Sequence, residues 1–151
     1  MLKRPLVFTA SIIGAILVLA FAKFDGPRGL EQKEPWTPSQ LISPDDLAAT
    51  LKEDPSSVHV FDIGPAGQIK HAVHIGEGRN PENVRALEQA VVDLPKDADI
   101  VLYCGCCPFK DCPNIRPTFR LLNDLEFTNH KLLDIENNLK VDWIDRGYPM
   151  E

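Results

Sequence analysis

At 151 residues the chain has room for one domain with a hydrophobic core. Its 44% hydrophobic and 25% charged residues are ordinary for a globular protein and exclude disorder as the default. A formal charge of −6 argues against nucleic acid or an anionic membrane as a partner held by bulk electrostatics.

Lys3 and Arg4 precede an uncharged run over residues 5–22, rich in Leu, Ile, Val and Ala. The run ends in Ala20-Phe21-Ala22, the small-x-small pattern of a signal-peptidase site. Residues 1–22 are therefore expected to be a secretory signal peptide. The alternative is an uncleaved N-terminal membrane anchor, because a run of this length can just span a bilayer. Either reading puts the rest of the chain outside the cytoplasm, periplasmic or secreted, and touching a membrane only through residues 5–22. Residues 23–38, with Gly26, Pro27, Gly29, Pro35 and Pro38 among charges, lack periodicity and read as a linker. Within it, Trp36 is expected to pack onto the domain that follows, over residues 39–151.

Ser43-Pro44-Asp45-Asp46 is a helix start, with Ser as cap, Pro at the first helical position and acids in the first turn. The helix carries Leu47 and Leu51 and stops before Pro55. Val58 to Ile63 alternates and predicts a strand, broken by Gly64-Pro65-Ala66-Gly67. A short strand is expected around Ala72-Val73-His74-Ile75. Pro81 to Leu94 places Val84, Leu87, Val91 and Leu94 at helical spacing, and Pro95 ends it. Ile100-Val101-Leu102-Tyr103 is an apolar β-former of the kind buried on both faces. Arg116 to Leu125 predicts a helix with Leu121, Leu122 and Leu125 inward, and His130 to Ile135 a further strand. Asn137 to Arg146 predicts a last helix, with Leu139 and Trp143, closed by Gly147 and Pro149. This alternation implies a three-layer α/β domain with a mainly parallel central sheet flanked by helices, whose ligands bind beyond the carboxyl ends of strands.

All four cysteines, Cys104, Cys106, Cys107 and Cys112, lie between the buried strand and the Arg116 helix. In an oxidising compartment four cysteines suggest disulfides, but here they would close only tiny loops with little chain entropy to remove. Crowding into one loop favours reactivity or metal binding over scaffolding. Cys104 stands at the strand end, where a following helix N-terminus and backbone N–H groups favour a thiolate. No phosphate-binding glycine motif or His-Glu-x-x-His helix is present, and no cofactor or metal ligand set is assigned.

Over roughly residues 40–150 the pattern resembles the rhodanese-like, single-domain sulfurtransferases. The likeness rests on Ile100-Val101-Leu102-Tyr103-Cys104, then Arg116-Pro117, then Trp143…Gly147-Tyr148-Pro149. Val60-Phe61-Asp62-Ile63 is similar to the family's strand ending in Asp, and Gly67-Gln68-Ile69-Lys70-His71-Ala72 to its Gly-His-Ile-x-Gly-Ala. The sequence departs from the family at Gly64, where an arginine is usual, and at Gln68 and His71. It also departs in the loop, where eleven residues separate Cys104 from Arg116 and the family has a short cradle.

The resemblance implies sulfur transfer, with Cys104 as the nucleophile that holds a sulfane sulfur as a persulfide. Its partners would be a small sulfur-containing donor and a thiol acceptor. Arg116 is the candidate cation for a sulfur oxyanion; capping loop carbonyls is its other role. Gly105, Cys106, Cys107, Lys110, Cys112 and Asn114 are the candidate substrate-binding loop, with Lys110 equally readable as its solvated tip. Asp62 either orients the loop or caps its own turn. His71 and His74 lie near the presumed site. The extra thiols leave three alternatives: a thiol–disulfide redox or sulfur-relay protein, a disulfide of Cys106 or Cys107 with Cys112 that shapes the loop, or a soft-metal module on the same fold. Metal is disfavoured by the adjacency of Cys106 and Cys107, which is awkward for chelating one ion.

Overall fold

The computed structural model describes residues 33–151. The expectations for a signal or anchor over residues 1–22, and for most of the linker, lie outside the described residues. Among the described residues no helix is long and apolar enough to cross a membrane.

Five parallel strands form one sheet: β1 (Leu41–Ile42), β2 (His59–Asp62), β3 (Val73–His74), β4 (Ile100–Tyr103) and β5 (His130–Leu133), in the order β1-β5-β4-β2-β3. β4 is central, and all four of its residues are buried, as an apolar run covered on both faces requires. Its side chains alternate between two cores. Ile100 and Leu102 join Phe61, Ile63 and Leu132 beneath α2 (Pro81–Val91) and α3 (Ile115–Asp124), which contribute Leu87, Val91, Ile115, Phe119 and Leu122. Val101 and Tyr103 join Val60 and Leu133 beneath α1 (Pro44–Glu53) and α4 (Leu139–Asp142), which contribute Leu47, Ala48, Leu51 and Leu139. The three-layer α/β architecture follows from this period-two alternation, and the sheet is parallel throughout.

The helix starts are where their chemistry predicts. Ser43 caps α1 by accepting the Asp46 N–H at 3.1 Å, and Asn80 caps α2 by accepting that of Glu82 at 3.0 Å. Three details differ from expectation. β1 has only two residues, too short to show a period. α3 turns Ile115, Thr118, Phe119 and Leu122 inward, so Leu121 and Leu125 reach the core only from its rim. The C-terminal helix is not continuous: α4 ends at Asp142, Trp143 leaves helical geometry at φ −131°, ψ −60°, and a 3₁₀ turn follows over Ile144–Arg146. As expected, Trp36 packs onto the domain, against Phe109 and Phe119 at ring-centroid distances of 6.0 and 5.8 Å, tying the residues before β1 to the cysteine loop.

Trp143 explains the break in that last helix. Its ring is fully buried, lies edge-on to Tyr148 at 5.0 Å, and donates from Nε1 to the Pro149 carbonyl at 3.1 Å. Gly147, at φ +76°, makes the left-handed turn that returns the chain to it. Trp143→Ala is expected to cost about 3–5 kcal/mol, read as a lower midpoint in urea unfolding.

Candidate functional site

The site begins with register. β2 and β4 pair with Asp62 opposite Tyr103, and the Ile63 N–H donates to the Tyr103 carbonyl at 2.9 Å. Gly64 is thereby brought against Cys104. A Cβ built on Gly64 would lie 2.3 Å from the Cys104 carbonyl oxygen and 2.5 Å from its Sγ. Only glycine fits, which accounts for the departure from the arginine expected there. The segment beyond Gly64 is tied to β4 by the Tyr103 hydroxyl, which accepts the Ile69 N–H at 2.8 Å and donates to the Gly67 carbonyl at 3.2 Å.

After Cys104 the chain makes a left-handed turn at Gly105, φ +71°. A Cβ there would meet Leu139 Cβ at 2.8 Å and Ala66 at 3.2 Å. The Gly105 carbonyl accepts the Leu139 N–H at 2.8 Å, so the start of α4 holds the loop from one side. Phe109, buried, donates its N–H to the Ile135 carbonyl at 2.9 Å. The 3₁₀ turn Phe109–Asp111 then folds the chain back, and Cys112 is buried beside Cys104. All four cysteines are free thiols.

Cys104 is 2% exposed. Its Sγ lies 3.2 Å from the Cys106 Sγ, which lies 3.2 Å from that of Cys107. Asn114, also buried, donates from Nδ2 to the Cys104 Sγ at 3.2 Å and accepts the Arg79 N–H on Oδ1 at 3.1 Å. The thiols of Cys104, Cys106 and Cys112 lie within 4.8 Å of one another. Hydrogen bonding from Cys112 is the largest influence on Cys104. With the Asn114 amide and the Cys106 N–H it overcomes burial and lowers the Cys104 pKa to about 6. Its neighbours move the other way: burial and bonding to Cys104 and Cys107 push Cys106 up to about 12, and donation to Cys104 raises Cys112. This favours one thiolate, on Cys104, with the Cys106 and Cys112 thiols protonated beside it.

The remaining sequence-predicted residues take definite places. Arg116 donates to the Lys110 carbonyl at 2.6 Å, the Cys112 carbonyl at 3.4 Å and Glu34 Oε1 at 2.6 Å, with its guanidinium 5.5 Å from the Trp36 ring. That is the carbonyl-capping geometry: it fastens the far side of the loop, and no hydrogen bond joins it to Cys104. Lys110 is exposed, with Nζ 5.4 Å from the Phe109 ring centroid. Asp62, buried, accepts the Gly64 N–H at 3.0 Å and pairs through Oδ2 with His74 Nδ1 at 2.7 Å. It caps its own turn, and burial raises its pKa against both bonds. His71, at φ +70°, and His74 do not meet: they line separate clefts. The donors on Cys104 differ from the expected set. Asn114 supplies a side-chain amide in place of most of the backbone cradle.

Two clefts are relevant. The larger, about 570 Å³ between α1 and the C-terminal turn, includes Lys52, Lys70, His71, Arg146 and Tyr148 but none of the cysteines. A second, about 470 Å³, is bounded by Gly64, Pro65, His74, Gly76, Arg79 and Asn83. It adjoins Cys104 through Gly64, which lines this cleft and packs against Cys104. Arg79 had no sequence signal; His74, expected near the site, reaches this cleft through the register of β3 on β2.

Gly64→Ala is expected to cost about 1–3 kcal/mol, because the added methyl meets backbone as well as sulfur; chemical denaturation measures it. Thiolate ultraviolet absorbance of the reduced protein should gain one equivalent with a midpoint near pH 6, where an ordinary cysteine titrates at about 8.5. Cys104→Ser should remove that step, and Asn114→Ala should move it to higher pH.

No protein-family model and no curated protein matches the sequence. Solved structures do match in fold. The rhodanese-like domain of an Anabaena protein superposes with a TM-score of 0.51 at 17% identity, covering 74% of this chain and 78% of its own. A Bacillus halodurans protein gives 0.54 at 20% identity, covering 72% and 74%. A full-length Lactobacillus plantarum protein gives 0.52 at 16%, covering 75% and 88%. With its parallel sheet, its helices on both faces and a cysteine at the end of the central strand, the chain has a rhodanese-like fold.

Proposed function

We propose that this chain is an exported sulfurtransferase that carries sulfane sulfur on Cys104. The observation that supports this most directly is a thiol at the carboxyl end of the central strand, held as a thiolate by Asn114, Cys112 and the Cys106 N–H. The rhodanese-like fold supports it at the level of the superfamily.

With thiosulfate as donor, the Cys104 thiolate attacks the outer sulfur. A Cys104 S–S bond forms, the donor's S–S bond breaks, and sulfite leaves with the bonding pair. A thiol acceptor then attacks the terminal sulfur and expels the Cys104 thiolate. Its low pKa suits it to leave, and the acceptor's proton passes to solvent. The cleft beside Gly64 is the proposed donor site, with Arg79, paired with Glu77 at 2.6 Å, and His74, paired with Asp62 at 2.7 Å, on its rim. In this reading Arg116 is a positioning residue: by gripping the Lys110 and Cys112 carbonyls it fixes the return of the loop over Cys104. Export rests on the basic and apolar N-terminal run, Lys3 to Ala22.

Thiol–disulfide exchange is the second reading, favoured by the 3.2 Å separations between the Cys104, Cys106 and Cys107 sulfurs. Intact mass after incubation with thiosulfate distinguishes the two. The expected adduct is about 32 Da, one persulfide sulfur, lost in Cys104→Ser. A mass loss of about two hydrogens per chain, with no sulfur gained, would favour disulfide exchange and discard the sulfurtransferase.

A further inference from the structure

The sulfurs of Cys104, Cys106 and Cys112 form a compact triangle. Every pair lies within 4.8 Å, and Cys104 and Cys106 are 3.2 Å apart. Thiolates that share one closed-shell metal ion at about 2.3 Å stand roughly 4 Å from each other in a trigonal plane. One pair stands at 3.2 Å and none exceeds 4.8 Å, so small side-chain rotations would bring all three onto one ion.

The donors are soft and uniform. Among the described residues no imidazole or carboxylate belongs to the group, and all-sulfur sets select Cu(I) and Zn(II) over harder ions. Structural zinc sites close with four protein ligands. The fourth thiol, Cys107, lies against Cys106 but stands outside the triangle. Three sulfurs without a fourth suit a monovalent d¹⁰ ion, which accepts three-coordination.

The fold also removes the difficulty of adjacent cysteines. Cys106 and Cys107 need not chelate together, because the turn Phe109–Asp111 carries Cys112 back to supply the third sulfur. Cys112 is fully buried, and Asn114 Nδ2 donates to the Cys104 sulfur from behind at 3.2 Å, the kind of outer contact that orients a ligand. Cys106 is exposed and gives the triangle its open side, with Cys107 beyond it, 3.2 Å from the Cys106 sulfur, placed to pass an ion inward.

We propose that Cys104, Cys106 and Cys112 form a three-thiolate site for one Cu(I) ion, loaded from the solvent side through Cys106 and Cys107. Binding involves no electron transfer: copper enters and leaves as Cu(I), and the protons of the thiols it displaces go to solvent. The site does not depend on sulfur transfer, but it uses Cys104, so copper and a Cys104 persulfide exclude each other.

The test is an anaerobic titration of the reduced full chain against a chromophoric Cu(I) chelator, followed by X-ray absorption of the copper-loaded protein. One Cu(I) per chain is expected, withdrawn from the chelator, with three sulfur scatterers at about 2.3 Å. Cys106→Ser and Cys112→Ser should each weaken binding at least tenfold. Circular dichroism checks both folds; if buried Cys112→Ser unfolds, exposed Cys106→Ser decides alone. No copper withdrawn, a nitrogen or oxygen shell, four sulfurs with Zn(II) preferred, or unchanged binding in Cys106→Ser would each overturn the proposal. Thiosulfate loading measured in parallel keeps the two readings apart. A chain that loads sulfur but not copper loses only this site, and one that loads copper but not sulfur loses only the sulfurtransferase.

Discussion

The parallel register between β2 and β4 is the constraint on which the site depends. Asp62 sits opposite Tyr103, so the two chains leave the sheet side by side, Gly64 against Cys104 with no space for a side chain between them. Cys104 is thereby pinned on one flank by backbone. Its sulfur faces the loop that follows, where Cys112, Asn114 and the Cys106 N–H donate to it. A Cβ at position 64 would displace the Cys104 carbonyl or its thiol. The same close approach makes Gly64 the wall between Cys104 and the cleft that carries Arg79 and His74.

The loop is long, but it is held at several places. Leu139 takes the Gly105 carbonyl, Ile135 takes the Phe109 N–H, and Arg116 takes the Lys110 and Cys112 carbonyls. Trp36 and Glu34 close over its outer side through Phe109 and Arg116. These anchors come from the β5–α4 segment, from α3 and from the chain before β1. Such attachment lets an expanded loop return Cys112 to within 4.8 Å of Cys104. Without it, closing so long a segment would cost chain entropy with little to offset it.

The electrostatics of the group then follow from sharing one negative charge among close thiols. The Cys104 sulfur accepts from Cys112, Asn114 and Cys106, and its proton is the easiest to lose. Each neighbour that donates to it, or would stand charged beside it, becomes harder to ionise. A group built this way presents one thiolate or, with the remaining protons displaced, the three sulfurs of the proposed soft-cation site. The two uses draw on the same sulfur.

Much of this was legible in the sequence. Short-range chemistry determined the apolar run of β4, the Ser43-Pro44 helix start, the burial of Leu47 and Leu87 and the position of Cys104 at a strand end, because periodicity and capping act within a few residues. The two-residue β1, the rotation of α3 onto Phe119 and Leu122, and the break at Trp143 were not, since each is set by packing against distant partners. The roles around the sulfur were decided by tertiary structure alone. Arg116 lies within hydrogen-bonding reach of the loop carbonyls and Glu34, and Asn114 lies 3.2 Å from the thiolate. Sequence order placed Cys107 next to Cys106; only the fold-back of the loop made Cys112 the third sulfur of the triangle. A strand, a cap and a cysteine's place at a strand end are local properties, whereas a distance between sulfurs depends on every contact that closes the loop.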